Sequence, residues 1–465
     1  MLGKLRKMKR GERDLTKGDT ARTLFMLSLP VIIGTSLQIA FNLTDTFFVS
    51  MMGSDALAAI SVTFPVFFIA IAIASGLNIG STALISHSIG AGRSKDAANV
   101  SMHAIVMALV SGATVAIVGF LFARQIFGLM GISGATLEMT LQYMNIIFFG
   151  FVLQFLGMIS QGIIQADGNT VTPTKNLVAG VIANVILDPL LIFGFGPVPA
   201  MGVTGAALAT VATIAIVATL NFYHILSGKT SLCIKRECFR FDGKLVKKIF
   251  FIGLPSSISQ SFNSIGMFLL MSLVGTFGTS AIAAFGVGIR LESIAIMPSI
   301  GLMIALIPFV GQNLGAEKPD RAREGVKLAS YATILFMLFF SAVWFLTPES
   351  LFIPFTSDPA ILATGAMYFR IIALGYVFMG LNFVLGGALQ AAGRTDLQLI
   401  INITRWVVVI SLAYFFASFM GLDGVWLGFP IGNFAGFLLA YSLFRSGYWL
   451  KNRRKLHSFV PQETA

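Results

Sequence analysis

The amino-acid sequence predicts an all-α polytopic membrane protein, with twelve transmembrane helices in two six-helix lobes related by a parallel pseudo-two-fold repeat. Three observations carry this expectation. Of the 465 residues, 56% are hydrophobic and only 11% are charged, where a soluble domain carries about 25% charged residues. Apolar runs of roughly 20 residues or more, each long enough to cross a bilayer as a helix, recur along the whole length. The chain also repeats itself at one constant shift, the shift that carries Pro30 onto Pro255. Leu29-Pro30 returns as Leu254-Pro255, and Gly53-Ser54-Asp55-Ala56-Leu57-Ala58-Ala59 as Gly278-Thr279-Ser280-Ala281-Ile282-Ala283-Ala284. Ser88-Ile89-Gly90-Ala91 returns as Asn313-Leu314-Gly315-Ala316, and Gln165-Ala166-Asp167-Gly168-Asn169-Thr170 as Gln390-Ala391-Ala392-Gly393-Arg394-Thr395. A duplicated membrane bundle of this kind is a common transporter plan.

The predicted spans are about 22–50, 55–84, 95–122, 136–164, 170–194, 203–226, 246–275, 279–311, 323–346, 358–390, 396–419 and 424–447. None alternates polar and apolar residues as a barrel strand does. Six spans per copy is an even number, so both copies keep the same orientation about an axis along the membrane normal. The resulting order is a basic segment 1–21, an N-terminal lobe 22–226, a linker 227–245, a C-terminal lobe 246–447 and a basic tail 448–465.

The net charge of +12 is placed unevenly. Lys/Arg residues crowd the first 22 positions, the 227–248 loop (Lys229, Lys235, Arg236, Arg240, Lys244, Lys247, Lys248), the 312–327 loop and the tail from Arg445, while the opposite loops hold essentially Arg124. This pattern predicts a plasma-membrane or inner-membrane protein with both termini and the linker cytoplasmic. The basic surplus then sets topology and touches anionic lipid, and nucleic acid is not an expected partner. The first apolar run is too long for a signal peptide and no small-residue cleavage site follows it. Cys233 and Cys238 are expected as free thiols in the linker. His87, His103, His224 and His457 are expected at solvated ends, as are Glu138, Asp55 and Asp167. Ser227-Gly228-Lys229-Thr230 lacks the earlier glycine of a phosphate-cradling loop, since that place holds Tyr223. No enzyme chemistry, cofactor or ATPase subunit is expected, and an uphill transporter of this kind must draw on an ion gradient.

Two acids interrupt the oily segments of the first copy only. Asp45 faces Leu270 in the second copy, and Asp188 faces Ala413. An ionised carboxylate at mid-bilayer costs roughly 2.5–3.5 kcal/mol even on lenient scales, so it is retained for a reason. Asn42 and Gln38 share a helical face with Asp45, and Asn184 shares one with Asp188. Thr204 opens span 6 at a similar outer depth. Asp45, Asn184, Asp188 and Thr204 therefore make a candidate oxygen-rich site for H⁺ or Na⁺. Burial favours the neutral carboxyl, which suits proton carriage, and bound Na⁺ favours the charged form. Pro30 removes a backbone hydrogen bond in span 1 and is a candidate hinge, with the matching Pro255 pointing to an architectural kink as the alternative.

Other polar residues mark inner faces and a candidate substrate cavity: Gln154 and Gln161 on span 4, Gln260 and Asn263 on span 7, and also Tyr143 and Asn382. Arg290 and Glu292 on span 8 form either a polar pair or part of the second bundle's lining. The 43 Phe and 20 Met residues suit a soft lining for amphipathic cargo. Gly424, Gly428, Gly432 and Gly436 recur every fourth residue, a stripe for close helix packing.

Arg290-Leu291-Glu292-Ser293, then Met297-Pro298, then Gly311-Gln312-Asn313-Leu314-Gly315-Ala316 resemble the multidrug and toxic compound extrusion (MATE) family. So do Pro30, the Gln-Ala-x-Gly-x-Thr loops and the six-plus-six layout, over roughly residues 15–450. The resemblance implies a V-shaped pair of lobes around a central cavity. It implies export of small organic, usually cationic, and other amphipathic compounds in exchange for H⁺ or Na⁺, by a chain expected to be monomeric. Asp45, Asn184, Asp188 and Thr204 match the first-lobe site of the DinF-like branch and its archaeal relatives. Another bacterial branch carries a span-7 Glu and a span-10 Asp. Here Asn263 holds the span-7 place and span 10 has no acid. An alternative in the same superfamily is a flippase for lipid-linked sugars, whose pyrophosphate asks for several cavity cations; the intramembrane candidates are Arg370 and Arg405.

Overall fold

A computed structural model describes residues 14–232 and 239–450, and the side chains of all of these except 39, 40, 42, 43 and 54. Cys233, Cys238, His457, the chain ahead of Asp14, the tail beyond 450 and the side chain of Asn42 lie outside the described residues. Among the described residues twelve helical spans are long and apolar enough to cross a membrane, in the expected order, with the second and third running past their expected ends to Gly90 and Leu129.

The first repeat runs through α1 (Thr20–Ser50), the short α2 (Ser54–Ser61), α3 (Phe64–Gly90), α4 (Ser94–Leu129), α5 (Gly134–Ala166), α6 (Val171–Ile192) and α7 (Gly202–Leu226). The second runs through α8 (Gly243–Gly275), α9 (Thr279–Gly315), α10 (Pro319–Leu346), the short α11 (Pro348–Phe352), α12 (Pro359–Ile372), α13 (Tyr376–Ala391), α14 (Thr395–Met420) and α15 (Leu422–Arg445). A 3₁₀ turn at Ala373–Gly375 joins α12 to α13, and the two form one span.

The repeat extends to backbone detail. Gly53 and Gly278 are repeat partners and precede matching helices with φ of 107° and 102°. Gly168 and Gly393 turn the two equivalent loops at φ of 80° and 68°. A side chain at a φ this far into the positive region is strained, so glycine is required at the first pair.

Two compact units emerge, and they do not follow the sequential division at 226. Unit 1 includes Leu29–Ser257, and unit 2 includes Thr16–Ser28 and the described chain from Ile258 onward. The start of α1 belongs with the second repeat, and the start of α8 with the first. Both exchanges fall beside the matched prolines, Pro30 and Pro255, which lie inside their helices. In unit 1, a Cβ on Gly80 would lie 2.7 Å from the Ile249 carbonyl, and one on Gly76 2.5 Å from that of Gly253. Only glycine admits so close an approach. In unit 2, Thr20 Oγ1 donates to Glu324 Oε2 at 2.9 Å, and Arg321 donates to the Gly18 and Lys17 carbonyls at 2.7 and 2.8 Å.

The glycine stripe of α15 packs on α14 as expected. A Cβ on Gly424 would lie 2.4 Å from the Phe416 carbonyl, and one on Gly428 2.6 Å from that of Val409. Three loop-end expectations are corrected. Asp167 is buried and accepts from the Ser231 backbone N–H at 3.1 Å and from its hydroxyl. His87 is also buried. Buried His103 accepts at Nε2 from the Asp242 N–H at 2.9 Å. For Asp167 and His103, a loop folded back over a helix end supplies the partner, and hydropathy alone does not reveal such a fold-back. Glu138 does stay exposed, paired with Arg124 at 2.8 Å.

Candidate functional site

Within unit 1, α1 and α6 run in parallel at a fixed register. Thr174 Oγ1 donates to the Pro30 carbonyl at 2.9 Å, and a Cβ on Gly34 would meet Leu177 at 3.7 Å. Three turns further along, the register that pairs Gly34 with Leu177 sets Asp45 level with Asp188. The two carboxylates lie within electrostatic reach of each other. Asp188 is fully buried and Asp45 half-buried.

Asn184, one helical turn before Asp188, donates from Nδ2 to Asp188 Oδ1 at 3.0 Å. Buried Tyr143, from α5, reaches the field of both acids, and its hydroxyl sits beside that of Thr210 on α7 without a well-formed hydrogen bond between them. Asp45 Oδ1, Asp188 Oδ2, Asn184 Oδ1, Thr210 Oγ1 and Thr213 Oγ1 are all buried with no hydrogen-bond partner. Each such oxygen forfeits about 1–3 kcal/mol of solvation. Orphaned acceptors on two acids, an amide and hydroxyls suit a proton or a small hard cation.

Thr204 is half-buried, and among the described residues no side-chain hydrogen bond links it to either carboxylate. Helices α5 and α7 keep a constant offset, Gly150 against Val211 and Gly157 against Ala218, which puts Thr204 level with Tyr143. The hydroxyl that faces Tyr143 is instead Thr210. Gln154 and Gln161 are half-buried in unit 1, and Gln38 is exposed.

Unit 2 carries two separate polar centres. Glu292 is buried, and its Oε1 accepts from Tyr368 at 2.9 Å and from Tyr376 at 3.3 Å. Of the two expectations for Arg290 and Glu292, the direct pair does not form, because Arg290 is exposed and Glu292 is buried. Two residues along a helix turn by about 200°, so these side chains leave opposite faces. The second centre is Arg405, half-buried on α14. Its guanidinium donates to Asn263 Oδ1 at 2.8 Å, Asn402 Oδ1 at 3.0 Å and Asn433 Oδ1 at 3.4 Å, and lies over the Trp406 ring at 4.8 Å. Asn263 also receives Trp406 Nε1 at 2.8 Å and donates to Gln260, which is exposed. Asn382 donates to the Asn433 carbonyl at 2.9 Å. Arg370, the other intramembrane candidate, lies exposed and 3.5 Å from Glu349.

A family model described as MatE matches residues 30–190 and again 255–415. The chain belongs to the MATE family of transporters. The two matches are themselves displaced by the shift of the repeat, which carries 30 onto 255 and 190 onto 415. An FAD transporter of Shewanella oneidensis is 32% identical over 92% of this chain and 95% of its own length. The multidrug export protein MepA of Staphylococcus aureus is 27% identical over 88% of this chain and 90% of its own. A solved MOP superfamily transporter from Pyrococcus furiosus, described as having a binding pocket of reversed polarity that suggests a different function, superposes with a TM-score of 0.89 at 27% identity. That superposition covers 96% of this chain and 99% of the other.

Within the MATE frame, several features escaped the sequence reading. Thr210 lies on the same helix as the expected Thr204, nearly two turns further in. Tyr368 and Tyr376 are anonymous aromatics in a Phe-rich chain, although Tyr368 is the repeat partner of Tyr143, a signal the internal repeat does contain. The asparagines around Arg405 come from three helices, and Asn433 hides inside the glycine stripe.

Proposed function

We propose that this MATE protein is a secondary active multidrug exporter. It moves amphipathic organic compounds, cations among them, out of the cell by alternating access in exchange for inward-moving H⁺ or Na⁺. The supporting observation is Asp45 and Asp188 within electrostatic reach of each other in unit 1, with Asn184 and Tyr143 alongside and several oxygens left without donors. Loading the pair with an ion satisfies those oxygens. Unloading leaves two like charges in a dry site, which favours a different arrangement of α1 and α6. Pro30 is the point where α1 has freedom to answer, since its ring removes one rung of the helix. In this reading the protein sits in the plasma or inner membrane as a monomer with both termini cytoplasmic. The first-lobe placement of the acids favours the DinF-like branch.

The test is efflux of a cationic dye from proteoliposomes under an imposed ΔpH or Na⁺ gradient. Asp45→Asn and Asp188→Asn are each expected to abolish gradient-driven efflux, a loss of about 100-fold or more, while the variants insert and purify normally. Wild-type efflux in either variant overturns the assignment. Running each gradient at clamped voltage decides between H⁺ and Na⁺.

Cargo with an anionic group is a second reading, favoured by the relative named an FAD transporter and by Arg405, which among the described residues has amide partners and no carboxylate. The flippase alternative asks for several embedded cations. With Arg370 beside Glu349 at an exposed position, Arg405 is the one of the two candidates left for it.

A further inference from the structure

We propose that Arg405 is an anion subsite inside unit 2, taking a carboxylate or phosphate group carried by the transported compound. This deepens the exporter reading, on which it rests only for the cargo itself. Arg405 lies about 15 Å into the 26-residue helix that starts at Thr395, so it is remote from both ends. A guanidinium at that depth is costly without a negative partner. Among the described residues no carboxylate pairs with it; its acceptors are the amide oxygens of Asn263, Asn402 and Asn433.

Those amides hold the guanidinium without neutralising it. Each Asn has its own Nδ2 committed elsewhere, Asn402 to Ser259 at 2.8 Å, Asn433 to the Phe429 carbonyl at 2.9 Å and Asn263 to Gln260 at 3.3 Å. The three oxygens are therefore locked to face the arginine. Trp406 closes one face of the fork. The Nη2 donors are taken by close bonds and Nε by a 3.3 Å bond to Asn402, while Nη1 has only the long 3.4 Å contact to Asn433. A carboxylate partner would cancel the charge as well as accept the hydrogen bonds, whereas an amide oxygen only accepts them. Here the positive charge is oriented and, among the described residues, unmatched, which is the preorganised half of an Arg–anion contact. A lipid headgroup offers the same phosphate chemistry, but headgroups lie at the membrane interface and Arg405 lies mid-helix, which favours cargo.

The probes are rhodamine 6G and its free acid, rhodamine 19. They share a cationic chromophore and differ by an ester against a carboxylate. In phosphatidylcholine nanodiscs the unmodified protein is expected to bind the free acid about tenfold more tightly than the ester, the strength of one charge-assisted contact. Arg405→Gln removes that preference by weakening the acid alone, and Arg405→Lys, which keeps the charge and loses the fork, retains part of it. Equal affinities for the two dyes in the unmodified protein overturn the proposal, whether or not the Gln variant folds. So does an equal loss of both dyes in a folded Arg405→Gln protein, which marks a structural role. A second arm adds phosphatidylglycerol to the nanodisc. If it displaces the free acid from the unmodified protein through Arg405, the site belongs to a headgroup and the cargo proposal fails; unchanged affinity supports it. Equilibrium binding needs no gradient, so this outcome is separable from the efflux result at Asp45 and Asp188.

Discussion

In unit 1 the carboxylates of Asp45 and Asp188 occupy the places that Leu270 and Ala413 fill in unit 2, both fully buried. Conversely, Arg405 of unit 2 stands where unit 1 has Gly180, and Glu292 stands where unit 1 has Phe67. The underlying register is shared. Ser259 meets Asn402 at the same sequence offset as Gly34 meets Leu177 in the first unit. Tyr143 and Tyr368 are partners under the repeat; Tyr143 lies in the field of Asp45 and Asp188, and Tyr368 donates to Glu292. Duplication supplied one frame, and divergence gave one copy an acidic centre with unsatisfied oxygens and the other a basic centre ringed by amides. An acid pair with an oxygen on each carboxyl left without a donor is suited to loading and unloading a small cation. A glutamate capped by two tyrosines has its needs met, which is the arrangement of a structural anchor.

The largest expected effect comes from forcing the acidic centre into the wrong copy. Ala413 lies so close to α15 that a Cβ on Gly428 would sit 2.9 Å from its nitrogen and 3.2 Å from its Cα. Ala413→Asp adds a carboxylate with no room and no partner, at a cost of about 3 kcal/mol or more. Loss of monodisperse protein on size-exclusion chromatography is expected, whereas Asp188→Ala should purify normally. Normal behaviour of Ala413→Asp would mean that the two copies tolerate an acid equally.

Next in size is the tyrosine pair. Tyr143→Phe removes a hydroxyl beside the two acids and Thr210, and is expected to slow gradient-driven efflux about tenfold with little change in thermal unfolding. Tyr368→Phe removes a hydrogen bond to Glu292 and is expected to cost about 1–3 kcal/mol of stability, read as a lower Tm, with efflux retained. The reverse pattern would move the ion chemistry to unit 2.

The twelve spans and the repeat were legible because hydropathy and helix length alone decide what crosses a bilayer. Asp45 and Asp188 were legible because an acid is conspicuous among apolar residues, and Asn184 followed from helical spacing of one turn. The exchange of helix starts at Pro30 and Pro255 was not legible. Hydropathy says that a segment is buried, not which bundle buries it. The Arg405 ring was hidden for a related reason: its asparagines are scattered from Asn263 to Asn433, and only α8, α14 and α15 packed together give them one focus. Thr210 was not legible because helical depth alone does not say which hydroxyl of α7 turns towards Tyr143.

The smallest expected effect tests how tightly the two copies differ at Gly180. A Cβ there would lie 2.4 Å from Val217 Cγ2 and 3.4 Å from Thr213 Cγ2. Ala is the better helix former by about 1 kcal/mol, which offsets part of the strain. Valine is stiff at χ1, so its methyl cannot swing aside without leaving its preferred rotamer. The balance favours a net loss of about 1 kcal/mol, a fall in Tm of about 1–2 °C in a chain of this size. The matching position in unit 2 holds Arg405, with a Cβ on Gly436 only 3.2 Å from the arginine Cβ. If Gly180→Ala were to raise Tm instead, α6 and α7 would already have slack at this point. The contrast with Arg405 would then reflect side-chain choice alone, not a difference in helix spacing between the two copies.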